Sequence, residues 1–158
     1  MNRIVALLAL TAFLFAAPAC SEKKLPEQAA IKTKNVLSSL RDLSAAYNKK
    51  DLPSFMESVA SAYNDRGGFS KSLGAVFTKN ASIRFNIQYT KMLIMVEEKG
   101  NIKTTFNWDG EWHAVDGTTQ KNGGRVTLVF EQGFKLLSID GKNPFVPQPV
   151  EMPGSSNK

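Results

Sequence analysis

The chain is poor in the residues that carry most metal and nucleophilic chemistry. It has one cysteine, Cys20, and one histidine, His113. A single cysteine leaves no partner for a disulfide within the chain. A lone histidine cannot build a His-rich zinc site, which draws ligands from several side chains. Because Cys20 lies in the leader-like start, Cys–His catalysis is excluded too. No glycine-rich phosphate loop is present, and spacing assembles no Ser-His-Asp set. No cofactor or metal is expected. No hydrophobic run reaches the roughly 20 apolar residues needed to span a bilayer. Lys and Arg are scattered and form no dense run, so a nucleic-acid partner is not expected.

What is present describes one domain. The 158 residues are 42% hydrophobic and 22% charged, ordinary for a globular protein. The net charge of +6 allows weak attraction to anionic surfaces such as phospholipid headgroups.

Met1 to Ala19 reads as an export signal. Arg3 supplies the positive start, Ile4 to Ala17 the short apolar core, and Ala17-Pro18-Ala19 the small residues at the cut. Cys20 follows directly. Either an ordinary signal peptidase leaves a free thiol there, or the thiol is lipidated. The stretch resembles a bacterial lipoprotein lipobox, although lipoboxes usually place Leu where this chain has Ala17. Lipidation gives an unpaired cysteine in an exported protein a reason to exist. Acyl chains on Cys20 would tether the domain to the membrane. By the bacterial sorting pattern, Ser21 favours the outer membrane, placing the chain in the cell envelope. Residues 20–26 then form the lipidated Cys and a short polar tether.

Residues 27–146 read as the folded domain. Ile31, Val36, Leu37, Leu40, Leu43 and Tyr47 recur at helical spacing. Asp51 looks like an N-cap, with Leu52 and Pro53 opening a second helix. Phe55, Val59, Ala62 and Tyr63 stripe that helix as far as Gly67-Gly68. A third helix is expected over Ser70 to Thr78. Strand alternation follows from Ser82 to Tyr89 and from Ile102 to Trp108. Met92 to Val96 is apolar throughout, as in a central strand covered on both faces. Asp109-Gly110 is a hairpin signal, and its loop length decides which face His113 takes. Asp116 to Gly124 reads as a loop. Arg125 to Phe130 and Phe134 to Ile139 close the sheet. Helices first and strands afterwards predict an α+β fold: two or three helices packed on a curved antiparallel sheet of about five or six strands. Residues 147–158 read as a disordered Pro-rich tail.

Tyr47 followed by Lys50-Asp51-Leu52 and Phe55, and the ending Gly133-Phe134-Lys135-Leu136 to Gly141 and Phe145, resemble the nuclear transport factor 2-like superfamily. That superfamily includes ketosteroid isomerases and SnoaL-type cyclases. The resemblance implies a cone-shaped fold, often a pocket at its open end, and in many members dimerisation through the sheet. It implies no activity, because the fold hosts enzymes and non-enzymes alike.

Candidate pocket or rim residues are Tyr47, Tyr89, Trp108, Trp112 and His113, with Arg84 and Asp116 as further polar groups. Each also has a plainer place: His113 and Arg84 on a solvated strand face, Asp116 in a turn, the tryptophans in hairpin packing. The leading expectation is a non-catalytic binding or assembly domain for an envelope protein or small apolar ligand. The alternative is a small-molecule enzyme of the isomerase, cyclase or dehydratase type.

Overall fold

The structure is a computed structural model that describes residues 27–64, 68–97 and 99–147. Residues 1–26, on which the expected export signal, lipidated Cys20 and tether fall, and residues 148–158 lie outside the described residues.

The helical half begins with α1, Glu27–Lys49. Val36, Leu40, Leu43, Ala46 and Tyr47 form its buried stripe. Lys50 ends it in the left-handed region, φ 57°, where its N–H bonds back to the Tyr47 carbonyl at 3.0 Å. Asp51 caps α2, Leu52–Glu57, accepting from the Ser54 N–H. The expected long second helix is broken here. Ser58 to Ala60 leave the helical path because Leu136 captures them: its N–H donates to the Ser58 carbonyl at 2.8 Å, and its carbonyl accepts from the Ala60 N–H at 2.9 Å. A single turn, α3 (Ser61–Asn64), follows, then α4, Phe69–Lys79, which buries Phe69, Leu73 and Phe77.

Among the described residues the sheet has four strands, fewer than expected: β1 Asn80–Val96, β2 Ile102–Ala114, β3 Thr119–Phe130 and β4 Leu136–Gly141. They form an antiparallel meander in sequence order. Two expected breaks are absent. Ser82–Tyr89 and Met92–Val96 are parts of one strand, interrupted by a bulge in which residues 89–92 stand opposite Phe106 alone. Asp109-Gly110 makes no turn. Asp109 pairs with Asn86 on one side and Gly123 on the other, so two ladders hold it extended against its local turn preference. The glycine serves a close approach instead: a Cβ there would overlap the Trp112 ring. The expected loop over Asp116 to Gly124 shrinks to the short turn before Thr119. Met92 to Val96 does not form a central strand either. It belongs to the sheet edge, and Leu93, Met95 and Val96 are exposed.

Alternation along β2 separates the two faces of the sheet. Ile102, Thr104, Phe106, Trp108 and Trp112 are buried, while Lys103, Thr105, Asn107, Asp109 and Glu111 alternate with them on the polar face. The helices pack on the first face. Asn48 protects the free edge of β1 by bonding the Phe85 N–H and carbonyl at 2.6 and 3.0 Å. Capping an open edge in this way blocks strand addition there.

Candidate functional site

The inner face of the sheet carries an aromatic cluster centred on Tyr47. Its ring lies 5.3 Å from that of Phe145, 5.5 Å from Phe77, 5.6 Å from Phe85 and 6.1 Å from Phe55, all tilted or edge-on. Such angles suit ring quadrupoles better than stacked faces do. The hydroxyl is fully used. It accepts from Trp112 Nε1 at 2.8 Å and donates to the Phe145 carbonyl at 3.0 Å. Burial pushes the phenol well above its ordinary range, with the Trp112 bond acting in the opposite sense. Tyr47 is thus neutral and tied at both ends. It joins α1, β2 and the segment after β4, so it does structural work and has no free valence for a substrate.

Trp108 packs edge-on to Trp112, with ring centres 6.3 Å apart. Both are buried. Among the described residues, Trp108 Nε1 and Thr104 Oγ1 are buried without a protein partner.

Beyond this cluster lies a recess of about 390 Å³. The outer side of α4 (Ser72, Ala75, Val76, Lys79) forms one wall. Asn80, Trp112, Ala114, Thr118 and Gln120 form the second, and Val146 and Pro147 close the end. The lining is largely apolar. Among the described residues Lys79 is the one charged lining residue, and the Asp116 carboxylate, outside the lining, lies close enough for the two charges to interact. Asn80 is committed to local bonds: its Nδ2 donates to the Val76 carbonyl at 2.8 Å and its own carbonyl accepts from Lys50 Nζ at 2.7 Å. The recess offers apolar contact and one cation, without an acid–base pair to move a proton.

His113 points to the face opposite Trp112. Its Nδ1 lies 3.0 Å from Thr119 Oγ1 and its Nε2 lies 3.4 Å from Glu111 Oε1. Glu111 also collects Lys121 at 3.4 Å and Arg84 at 3.7 Å. This is a partly solvated charge network outside the recess. Asp116 closes a turn, accepting from the Thr118 hydroxyl and N–H, and those bonds hold its carboxyl below the usual range. Tyr89 sits in the β1 bulge, 44% exposed. Partial burial raises its phenol and the Arg41 guanidinium opposes that rise. Of the sequence candidates, the fold brings Tyr47, Trp108 and Trp112 together and keeps Tyr89 and His113 apart from them. The recess residues on α4 escaped the sequence reading. Ala75 and Lys79 fall on the exposed side of an amphipathic helix, where nothing marks a site. Among the described residues no three metal-ligating side chains converge.

No protein-family model and no curated protein matches the sequence. Solved structures do. A nuclear transport factor 2-like superfamily protein from Salmonella enterica serovar Typhimurium LT2 aligns with TM-score 0.55 at 13% identity, over 83% of this chain and 99% of that one. A protein of the same fold and of unknown function from Burkholderia pseudomallei K96243 aligns at 0.46 and 14%, over 66% and 87% of the chains. A structure of TerC co-crystallised with polyporic acid aligns at 0.48 and 11%, over 66% and 88%. Helices leading into a curved four-strand meander, matched along almost the entire Salmonella protein, give the chain the nuclear transport factor 2-like fold.

Proposed function

We propose that the chain is a lipid-anchored domain of the bacterial cell envelope that binds a small apolar, anionic ligand and carries out no covalent chemistry. One observation carries the binding reading. The interior of the fold is filled by the Tyr47 cluster, and the space that stays open beside Trp112 is largely apolar with, among the described residues, one lining cation, Lys79. A site of this kind holds a ligand by surface burial and orients it by one charge. It lacks the paired groups that proton-transfer chemistry needs. The anchor reading rests on the run Ile4 to Ala17 and on Cys20 directly after Ala19. Among the described residues no helix is long and apolar enough to cross a membrane.

Anilinonaphthalene sulfonate is a suitable probe for the recess, being an aromatic anion that brightens when its rings leave water. The native protein should take up dye in this recess, read as the part of the uptake that filling the recess removes. Ala75→Trp, which fills the recess from α4, should weaken uptake about tenfold, and Lys79→Gln about fivefold. Undiminished uptake in Ala75→Trp, with an unchanged midpoint of urea unfolding, contradicts the site. The anchor is tested separately by radioactive palmitate in a bacterial host. Label on the wild type and none on Cys20→Ala is expected, and an unlabelled wild type ends that part of the proposal.

A further inference from the structure

The end of the molecule remote from the recess carries a second surface. α1 runs antiparallel to β1: Lys50 Nζ reaches the Asn80 carbonyl, Asn48 bonds Phe85, and Arg41 acts on Tyr89. The N-terminal half of α1 is therefore level with the C-terminal half of β1. The exposed large apolar side chains concentrate there. Ile31, Tyr89, Leu93, Met95 and Val96 are 44–54% exposed on these two half-elements, and among the described residues only Val115 is comparable elsewhere.

These side chains wrap around an edge. Leu93 and Met95 pair with Thr105 and Lys103 on the outer face, while Val96 pairs with the inward-facing Ile102. Lys34, Arg41 and Lys91 are exposed among them and Lys32 is half-buried. Among the described residues the acidic groups at this end include Glu27, Asp42, Glu97 and Asp140; Glu97 is taken by Lys103 at 2.7 Å, and Asp140 also acts on Lys103. Apolar side chains interspersed with cations match a phospholipid interface, where side chains enter the headgroup layer and cations stand over phosphates. The geometry is poor for strand addition by a second copy, because the bulge breaks the β1 edge and Lys91 lies within it. The proposed anchor also places this end near a membrane. Glu27, where α1 starts, can lie no further than about 25 Å from Cys20 with the intervening residues fully extended, and Lys23 and Lys24 lie on that path.

We infer that this end of the domain docks directly on an anionic phospholipid surface, orienting the recess away from it. The inference rests on the proposed anchor for proximity only, since the docking contacts need no acyl chain.

The test uses the chain from Ser21 to Lys158 without acylation. Every residue of the hydrophobic core lies between Val36 and Phe145, so this chain keeps the core entire. It is sedimented with vesicles of phosphatidylethanolamine and phosphatidylglycerol, and with vesicles of phosphatidylcholine alone. Binding to the anionic vesicles should exceed binding to the neutral ones about tenfold and weaken with added salt. Leu93→Gln with Met95→Gln should weaken it about tenfold, and Lys32→Gln with Lys34→Gln by a similar factor. Lys121→Gln, on the face with Glu111 at the opposite end, should leave it unchanged. Near-ultraviolet circular dichroism confirms that each variant folds. No binding to anionic vesicles overturns the inference, as does equal binding by all variants. A wild-type dimer in sedimentation equilibrium that Leu93→Gln dissociates, without vesicle binding, assigns the patch to self-association instead. None of these failures touches palmitate labelling of Cys20, so the two claims fail separately.

Discussion

Tyr47 shows what a single side chain decides in this molecule. Its hydroxyl links the indole of Trp112 to the carbonyl of Phe145, and all three residues are buried. Tyr47→Phe keeps the ring and strands both partners. Leaving buried donors and acceptors unpaired costs more than the bonds add when made. The variant should lose about 2–3 kcal/mol in urea unfolding with an unchanged denaturant slope. Thr104 makes the opposite case. Its hydroxyl is buried without a protein partner, so Thr104→Val should raise stability by about 1 kcal/mol. A loss there would show that the hydroxyl is satisfied in solution. Sequence exposed Tyr47 as a core position through its spacing from Val36, Leu40 and Leu43. It could not expose the hydroxyl's partners, because Trp112 and Phe145 are distant in the chain and meet only when the meander closes.

At the scale of elements, legibility followed periodicity. β2 alternates without interruption, and its buried face was legible from Ile102 to Trp108. Asp109-Gly110 was misread as a turn because turn preference is local, whereas pairing with β1 and β3 is not. The Met92 to Val96 run looked like a covered strand because apolar composition says nothing about which strand lies at an edge. The second helix was read too long because Leu136, far along the chain, unwinds Ser58 to Ala60. Its start was legible, since capping is local. Asp51 accepts from the Ser54 hydroxyl and N–H, which holds its carboxyl below the usual range. The sign follows directly. A depressed folded-state value contributes stability above the unfolded value, near 3.9, and the contribution is lost as pH falls through the folded value. Asp51→Ala should therefore lower Tm at neutral pH, and the gap to the wild type should narrow below about pH 4. A gap that is constant with pH would assign the effect to packing of α2.

The whole molecule separates two tasks that the sequence could not separate. Its interior is an aromatic core tied by Tyr47, and a recess opens between α4 and Trp112. Fold class was legible from the order of helices and strands. The recess was not, because its walls come from four separate parts of the chain and carry no motif. The claim that the interior is closed can be examined through the tyrosines, of which the chain has three. Burial raises Tyr47 far above its ordinary value, while Tyr63 and Tyr89 are raised but only partly buried. Because folding keeps the Tyr47 proton, its contribution is complete below about pH 10 and declines as pH rises above that value, where the unfolded phenol ionises. The direct measurement is alkaline titration of phenolate absorbance, with near-ultraviolet circular dichroism followed alongside. Two tyrosines should ionise reversibly in the folded protein, and the third only together with unfolding. Ionisation of all three while the tryptophan signal stays native would show that water reaches Tyr47 and would contradict a closed core.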